Sequence, residues 1–276
     1  MPRIPIEDNF NDVLAKAQRG HGLDDAAIAR RAGIAIAAYQ ALRRGEFDET
    51  AARAVAPVLR LGADQLAALG RKAWYPEQPV FPRGFAMFNT AFGDMTVNSY
   101  LVWDGRSRLA AAFDTGATAE PMLTTLAAEK LALRYLFLTH THEDHVADAD
   151  RLVRSTGAEI WSSVREAYPG GKTFREHQTF HLGGLAIKTL FTWGHSPGQT
   201  TYFITGLAWP LAVCGDSLFA GSMGGGLVSY ADQYRNNAEK IFTLPRDTVI
   251  APGHGPLTTL AQEKKHNPFF ARPAPA

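Results

Sequence analysis

One run constrains this chain more than any other: Thr139-His140-Thr141-His142-Glu143-Asp144-His145, directly after the apolar stretch Arg134-Tyr135-Leu136-Phe137-Leu138. Imidazole and carboxylate groups buried without partners cost several kcal/mol, and a surface has no reason to collect them. Divalent cations use this donor set, with N and O atoms about 2.0–2.2 Å from zinc. If the apolar stretch is a strand continuing into the motif, His140 and His142 point to the same side. Asp144 and His145 then fall where the chain turns into a helix, and can face a second ion.

Three further segments turn the run into a constellation: Trp193-Gly194-His195-Ser196-Pro197-Gly198-Gln199-Thr200, Val213-Cys214-Gly215-Asp216-Ser217 and Ala251-Pro252-Gly253-His254-Gly255-Pro256. Each follows a short apolar run that reads as a buried strand: Leu185–Phe191, Trp209–Val213 and Thr248–Ala251. All the candidate ligands thus sit at C-terminal ends of strands, where loops converge on one face of a sheet. The glycines and prolines beside them suit tight turns that bring backbone close to a site.

With these motifs in order, the chain resembles the metallo-β-lactamase-fold hydrolases. The likeness runs from Asn98-Ser99-Tyr100-Leu101-Val102, through Phe113-Asp114-Thr115-Gly116, to Glu263-Lys264-Lys265-His266-Asn267-Pro268-Phe269. It implies an α/β (α+β) fold: an αβ/βα sandwich of two mixed sheets with helices outside, preceded by a small all-helical domain. By the same resemblance, His140, His142 and His195 hold one divalent ion, Asp144, His145 and His254 hold a second, and Asp216 bridges the two. Zn²⁺ is the expected metal, with Fe²⁺ or Mn²⁺ as alternatives that accept the same ligands. His21, His177, His181 and His266 lie outside the pattern, and Asp114 is expected to support a neighbouring loop rather than to bind metal.

Within the superfamily the motifs are most similar to glyoxalase II, the hydroxyacylglutathione hydrolases. The implied activity is thioester hydrolysis by a metal-bridging hydroxide, on a small-molecule substrate such as a glutathione thioester, with Asp144 as the catalytic residue that orients the hydroxide or takes its proton. Longer glyoxalases carry a helical C-terminal domain that helps bind glutathione, whereas only residues 255–276 follow His254 here. Tyr230, Arg235 and Lys264 are the candidate substrate contacts, and the glycine-rich Gly221–Gly226 the candidate rim of the site. That stretch lacks the Lys-Ser/Thr and the strand-to-helix context of a phosphate loop. Persulfide dioxygenase, using a single iron on His140, His195 and Asp216, is the alternative the motifs separate least well; a lactonase is another.

The first third of the chain is patterned differently. From Asn9 to Leu69 it is helical, broken at Gly20-His21-Gly22, Gly33, Gly45-Glu46-Phe47 and Gly62. Leu23–Gly45 resembles the helix-turn-helix of Cro/repressor-type domains, with Gly33 at the turn and Tyr39 on the inner face of the second helix. Arg43 and Arg44 are its candidate DNA contacts, and a regulator with a ligand-sensing hydrolase-like domain is the non-enzymatic alternative. Yet the start of the recognition helix is Ala35-Ile36-Ala37-Ala38, which offers no donors or acceptors for base readout. Residues 1–70 also balance nine Lys/Arg against nine Asp/Glu. The expectation is therefore a module that packs against the hydrolase or another subunit, and its spare apolar face would favour a homodimer.

The domains expected are a helical module over 1–70, a Pro-rich linker over 71–84 with Trp74 and Tyr75 as anchors, and a hydrolase domain over 85–276. A formal net charge of +1 gives no support to general polyanion binding. The single cysteine, Cys214, excludes an internal disulfide and fits a reducing compartment; beside Asp216 it reads as a small core residue. No uninterrupted apolar span and no secretory leader is visible, so a cytoplasmic, non-membrane protein is expected.

Overall fold

A computed structural model describes residues 3–271. Five helices come first: α1 (Phe10–His21), α2 (Asp25–Ala32), α3 (Ile36–Arg43), α4 (Glu49–Val55) and α5 (Ala63–Gly70). Asp24 and Asp48 cap α2 and α4 by accepting from Ala27 N and Ala51 N. Gly33 ends α2 in the left-handed region, φ 68°, and turns the chain into α3. Residues 73–82 then run without helix or strand. Trp74 stacks on His266 with centroids 5.0 Å apart, and Tyr75 Oη donates to Ile4 O at 2.8 Å.

The first sheet takes its strands in chain order: β1 (Phe85–Phe92), β2 (Met95–Trp103), β3 (Leu109–Phe113), β4 (Ala132–Phe137), β5 (Glu159–Ser163) and β6 (Lys172–Phe174). It is antiparallel as far as β3 and parallel from there on. Helix α6 (Glu120–Ala128) carries the chain from β3 to β4, and α7 (Glu143–Val146) and α8 (Ala149–Thr156) from β4 to β5. The second sheet contains β7 (Thr179–Leu182), β8 (Leu185–Phe191), β9 (Thr200–Thr205) and β10 (Leu211–Gly215). A two-strand hairpin follows, β11 (Leu218–Phe219) with β12 (Ser222–Met223). After α9 (Tyr230–Asn236) and a π-helical turn over Asn237–Ile241 come β13 (Val249–Pro252), β14 (Thr258–Thr259) and α10 (Leu260–His266). The second sheet's order is β7-β8-β9-β10-β13-β14, with β10 and β13 parallel.

Alternation along the strands builds the layers, because successive side chains face opposite ways. Tyr100 and Val102 of β2, Phe113 of β3, and Leu211 and Val213 of β10 fill the core between the sheets. Their neighbours Leu101, Ala110 and Ala112 face outward onto Met122 and Leu126 of α6 and Leu152 of α8. On the far side, Ala212, Cys214 and Ile250 face the N-terminal helices, in one apolar cluster with Phe10, Val13, Leu14, Leu59 and Leu66. The result is the sandwich expected from sequence. The helical module, expected to pack on the hydrolase or another subunit, packs on the hydrolase and shares the outer layer with residues of α9 and α10. Cys214 is wholly buried there, and burial pushes its thiol well up.

Candidate metal centre

The four motif loops leave the C-terminal ends of β4, β8, β10 and β13 and meet at one edge of the sandwich. They assemble three overlapping groups of ligand-type atoms: His140, His142 and His195; His140, His145 and Asp216; and Asp144, His145 and His254, each group within 4.8 Å. The seven side chains named from sequence are thus brought together. His254 Nε2 lies 3.3 Å from Asp144 Oδ2, and His145 Nε2 lies 3.4 Å from Asp144 Oδ2 and from Asp216 Oδ1. Asp216 Oδ2 lies 3.4 Å from His195 Nε2 and 3.5 Å from His254 Nε2, so one carboxylate reaches both halves of the cluster.

These spacings test whether a cation fits. Two ligands each about 2.0–2.1 Å from a tetrahedral zinc stand about 3.3 Å apart, which is the spacing seen. The atoms facing inward are also short of partners: His140 Nε2, His145 Nε2 and Asp216 Oδ1 are buried with no hydrogen bond. Buried polar atoms without partners are rare enough to require a missing one. A divalent ion held there would supply it.

The outer nitrogens of the same rings are all engaged. His145 Nδ1 donates to Asp114 Oδ2 at 2.8 Å, His254 Nδ1 to Thr96 O at 2.7 Å, and His195 Nδ1 to Gly225 O at 3.0 Å. His140 Nδ1 lies 3.0 Å from Thr139 Oγ1, whose own proton goes to Asp114 Oδ2 at 2.7 Å. An acceptor on Nδ1 fixes the proton there and leaves the Nε2 lone pair for the centre. His142 differs, presenting Nδ1 at 3.1 Å from His195 Nε2.

Electrostatics follow from the same packing. Burial, with His145 next in weight, holds His140 well below its usual range, and burial lowers His195 too. Burial also pulls on His145 and His254, but Asp216 and Asp114 hold the first up at about 10, and Asp144 and Asp216 hold the second up at about 11. Asp216, despite burial, is kept well below the carboxylate range by His145 and His254. The cluster therefore carries two firmly ionised carboxylates and traps protons where a cation would sit.

Several supports were not legible as such. Glu166 accepts from Thr141 N, Thr141 Oγ1, Ser196 Oγ and Gly198 N at 2.6–2.8 Å, latching the His140–His142 loop to the His195 loop. Asn98 Nδ2 donates to Pro252 O and Gly255 O at 2.9 and 2.8 Å, holding the His254 turn. A Cβ on Gly253 would stand 2.1 Å from Asp216 Oδ1, so only glycine leaves the carboxylate its place. Glu7, from the segment before α1, lies beside the His254 turn: a Cβ on Gly255 would be 3.2 Å from Glu7 N. Burial raises the Glu7 carboxyl.

The other candidates fall elsewhere. Tyr230 packs against the end of α1, its ring edge-on to His21 at 5.4 Å and filling the space a Cβ on Gly20 would need. Arg235 is exposed and paired with Asp232 within α9. Lys264 is exposed on α10. Arg43 is half-buried at the end of α3, and Arg44 pairs with Glu46 at 2.9 Å. None of these joins the metal-ligand groups. Among the described residues no helix is long and apolar enough to cross a membrane.

Comparison with known proteins identifies the family. Residues 92–254 match the Metallo-beta-lactamase superfamily. The chain is 31% identical over 201 residues to the hydroxyacylglutathione hydrolase GloC of Haemophilus influenzae, covering 63% of this chain and 92% of that one. Among solved structures, the BLEG-1 B3 metallo-beta-lactamase superposes with a TM-score of 0.60 at 28% identity, covering 68% of this chain and all of that one. TTHA1623, solved in a di-iron-bound form, gives 0.54 at 27% identity, covering 66% and 99%.

Proposed function

This chain belongs to the metallo-beta-lactamase superfamily, and from that premise we propose that it is a dinuclear metal-dependent thioester hydrolase of the hydroxyacylglutathione hydrolase type. The observation that carries the reading is Asp216: its carboxylate reaches His195 on one side and His145 and His254 on the other, among buried atoms with no other partner. His140, His142 and His195 would hold one ion, Asp144, His145 and His254 the other, and Asp216 would touch both. Relatives support both halves of the proposal, the hydroxyacylglutathione hydrolase for the substrate and the di-iron form of TTHA1623 for the ion count.

Divalent ions held by these residues would supply Lewis acidity, lowering the pKa of water toward neutrality and offsetting negative charge that develops on the carbonyl oxygen. The chain's own residues do the rest. Asp144 is the least buried of the ligand carboxylates, at 15% side-chain exposure, and His254 and His145 keep it ionised against the pull of burial. It can orient the attacking water and accept its proton. No side-chain nucleophile is needed, and a thiolate leaving group with a parent pKa near 8.5 needs little protonation. Zinc is the first metal to test, with iron and manganese beside it.

The experiment is hydrolysis of S-lactoylglutathione and of a simple acyl thioester by protein loaded with each metal in turn. Release of thiol that is abolished by chelation and restored by metal is the expected result. If every metal-loaded form leaves both thioesters intact, the thioesterase reading is wrong. Oxygen uptake by the iron form on glutathione persulfide would instead assign it to dioxygenase chemistry.

A further inference from the structure

Beside the His195 loop lies a cavity of about 460 Å³ that the metal centre does not use. One wall is α1, through Lys16, Arg19 and Gly20; the other runs from Gly226 along the loop into the start of α9 at Ala231. That loop is tied to the metal centre. Gly225 O accepts from His195 Nδ1 at 3.0 Å, and Val228 N and Ser229 N donate to Gly194 O at 2.9 and 3.0 Å. Gly225 lies near both His195 and Arg19. Its carbonyl faces the imidazole, and a Cβ built on it would stand 4.0 Å from an Arg19 terminal nitrogen.

The two cations of the cavity are not equivalent. Lys16 Nζ is committed, donating to Asp8 Oδ2 at 2.5 Å and Met223 O at 2.9 Å. Arg19 is exposed, and its guanidinium makes no hydrogen bond or ion pair among the described residues. Leu227 and Val228 flank it with 68% and 51% of their surface exposed, an unusual display of large apolar groups on a loop. An unpaired guanidinium beside an apolar rim matches a carboxylate on an apolar stem, which arginine binds through its planar fork of donors.

We propose that this cavity is the substrate's recognition pocket, in which Arg19 of the N-terminal module binds a carboxylate of an anionic acyl thioester while Leu227 and Val228 cover its apolar part. The proposal rests on the thioesterase reading for the bond that reacts, but the pocket's preference for anions can be measured without any reaction. It gives the helical module a place in the enzyme: the module supplies the specificity wall.

The test is calorimetric binding of S-hexylglutathione, a thioether that cannot be hydrolysed, and of its dimethyl ester to metal-loaded full-length protein. The expected result is that Arg19→Ala weakens S-hexylglutathione about ten- to a hundredfold, the scale of a charged hydrogen bond, and that Arg19→Lys recovers part of it. The diester should bind weakly and equally to all three. Leu227→Asp, a change on an exposed side chain, should also weaken the anion. Equal binding of S-hexylglutathione by wild type and Arg19→Ala, equal binding of acid and diester by wild type, or no binding by wild type would each overturn the proposal. Failure of thioester hydrolysis with anion binding intact would overturn the activity alone.

Discussion

At the scale of single residues, the decisive feature is that the acceptors behind the imidazoles fix which nitrogen faces inward. Asp114 does most of this, accepting from His145 Nδ1, Thr139 N and Thr139 Oγ1 at 2.7–2.8 Å. It does so from a left-handed backbone, φ 54°, which aspartate tolerates better than most residues. Asp114→Asn should lower metal affinity about ten- to a hundredfold, the usual loss when such a partner is removed, as read by competition with a chromophoric chelator. A second expectation concerns pH. A histidine with a raised folded-state pKa contributes stability that is complete below its unfolded value of 6.5 and is lost as pH rises through the folded value, about 10 for His145. Metal-free protein should therefore lose melting temperature across that window. Metal-loaded protein, whose imidazoles are already deprotonated, should not show that loss. Identical melting profiles for the two forms would contradict the assignment of His145 to the centre.

At the scale of elements, α10 holds a buried acid whose contribution likewise falls as pH rises, in a lower window. Glu263 accepts from Asn267 Nδ2, Thr258 Oγ1 and Gly221 N, yet burial still raises its carboxyl to about 7. The folded chain then keeps a proton between 4.5 and 7 that the unfolded chain has released, so the contribution is largest below 4.5 and declines as pH rises through 7. Glu263→Gln keeps the geometry without the charge. Denaturant titration should show it gaining on wild type by about 3 kcal/mol between pH 4.5 and 8. Much at this scale was legible in the sequence. Apolar runs ahead of each motif marked β4, β8, β10 and β13 to within about two residues, because buried strands leave few polar letters. Glu166 was not legible. Its partners lie 25 to 32 positions away in the chain, and one glutamate in an irregular segment carries no periodic mark. Glu166→Ala should loosen both loops it latches, and faster chelator-driven metal loss in stopped flow would report it.

Across the whole molecule, the helical character of the first seventy residues and its packing role were readable, but which surface it packs on, the hydrolase or another subunit, was not. The apolar residues of α1 read the same whether they face sister helices or a sheet, and nothing in Ala212, Cys214 or Ile250 names what covers them. The structure places Val13, Leu14 and Leu66 in one cluster with those sheet residues. A chain consisting of residues 71–276 alone would bare that face of β10 and β13. It should aggregate in gel filtration where the full chain does not, and a well-folded, metal-loaded fragment would show that the two parts are independent. The exposed start of α3 carries Ile36 and Ala37 after Ala35, with Ile36 47% exposed, which suits contact with protein better than with bases.

The same layering sets an order of assembly during synthesis. Helix α1 is made long before Met223, Ile250 and Phe269, with which it shares its apolar cluster. At about 5–20 residues per second the wait from residue 70 to residue 250 is roughly ten to forty seconds. For that interval the side of the helices that will meet β10 and β13 has no sheet to cover it.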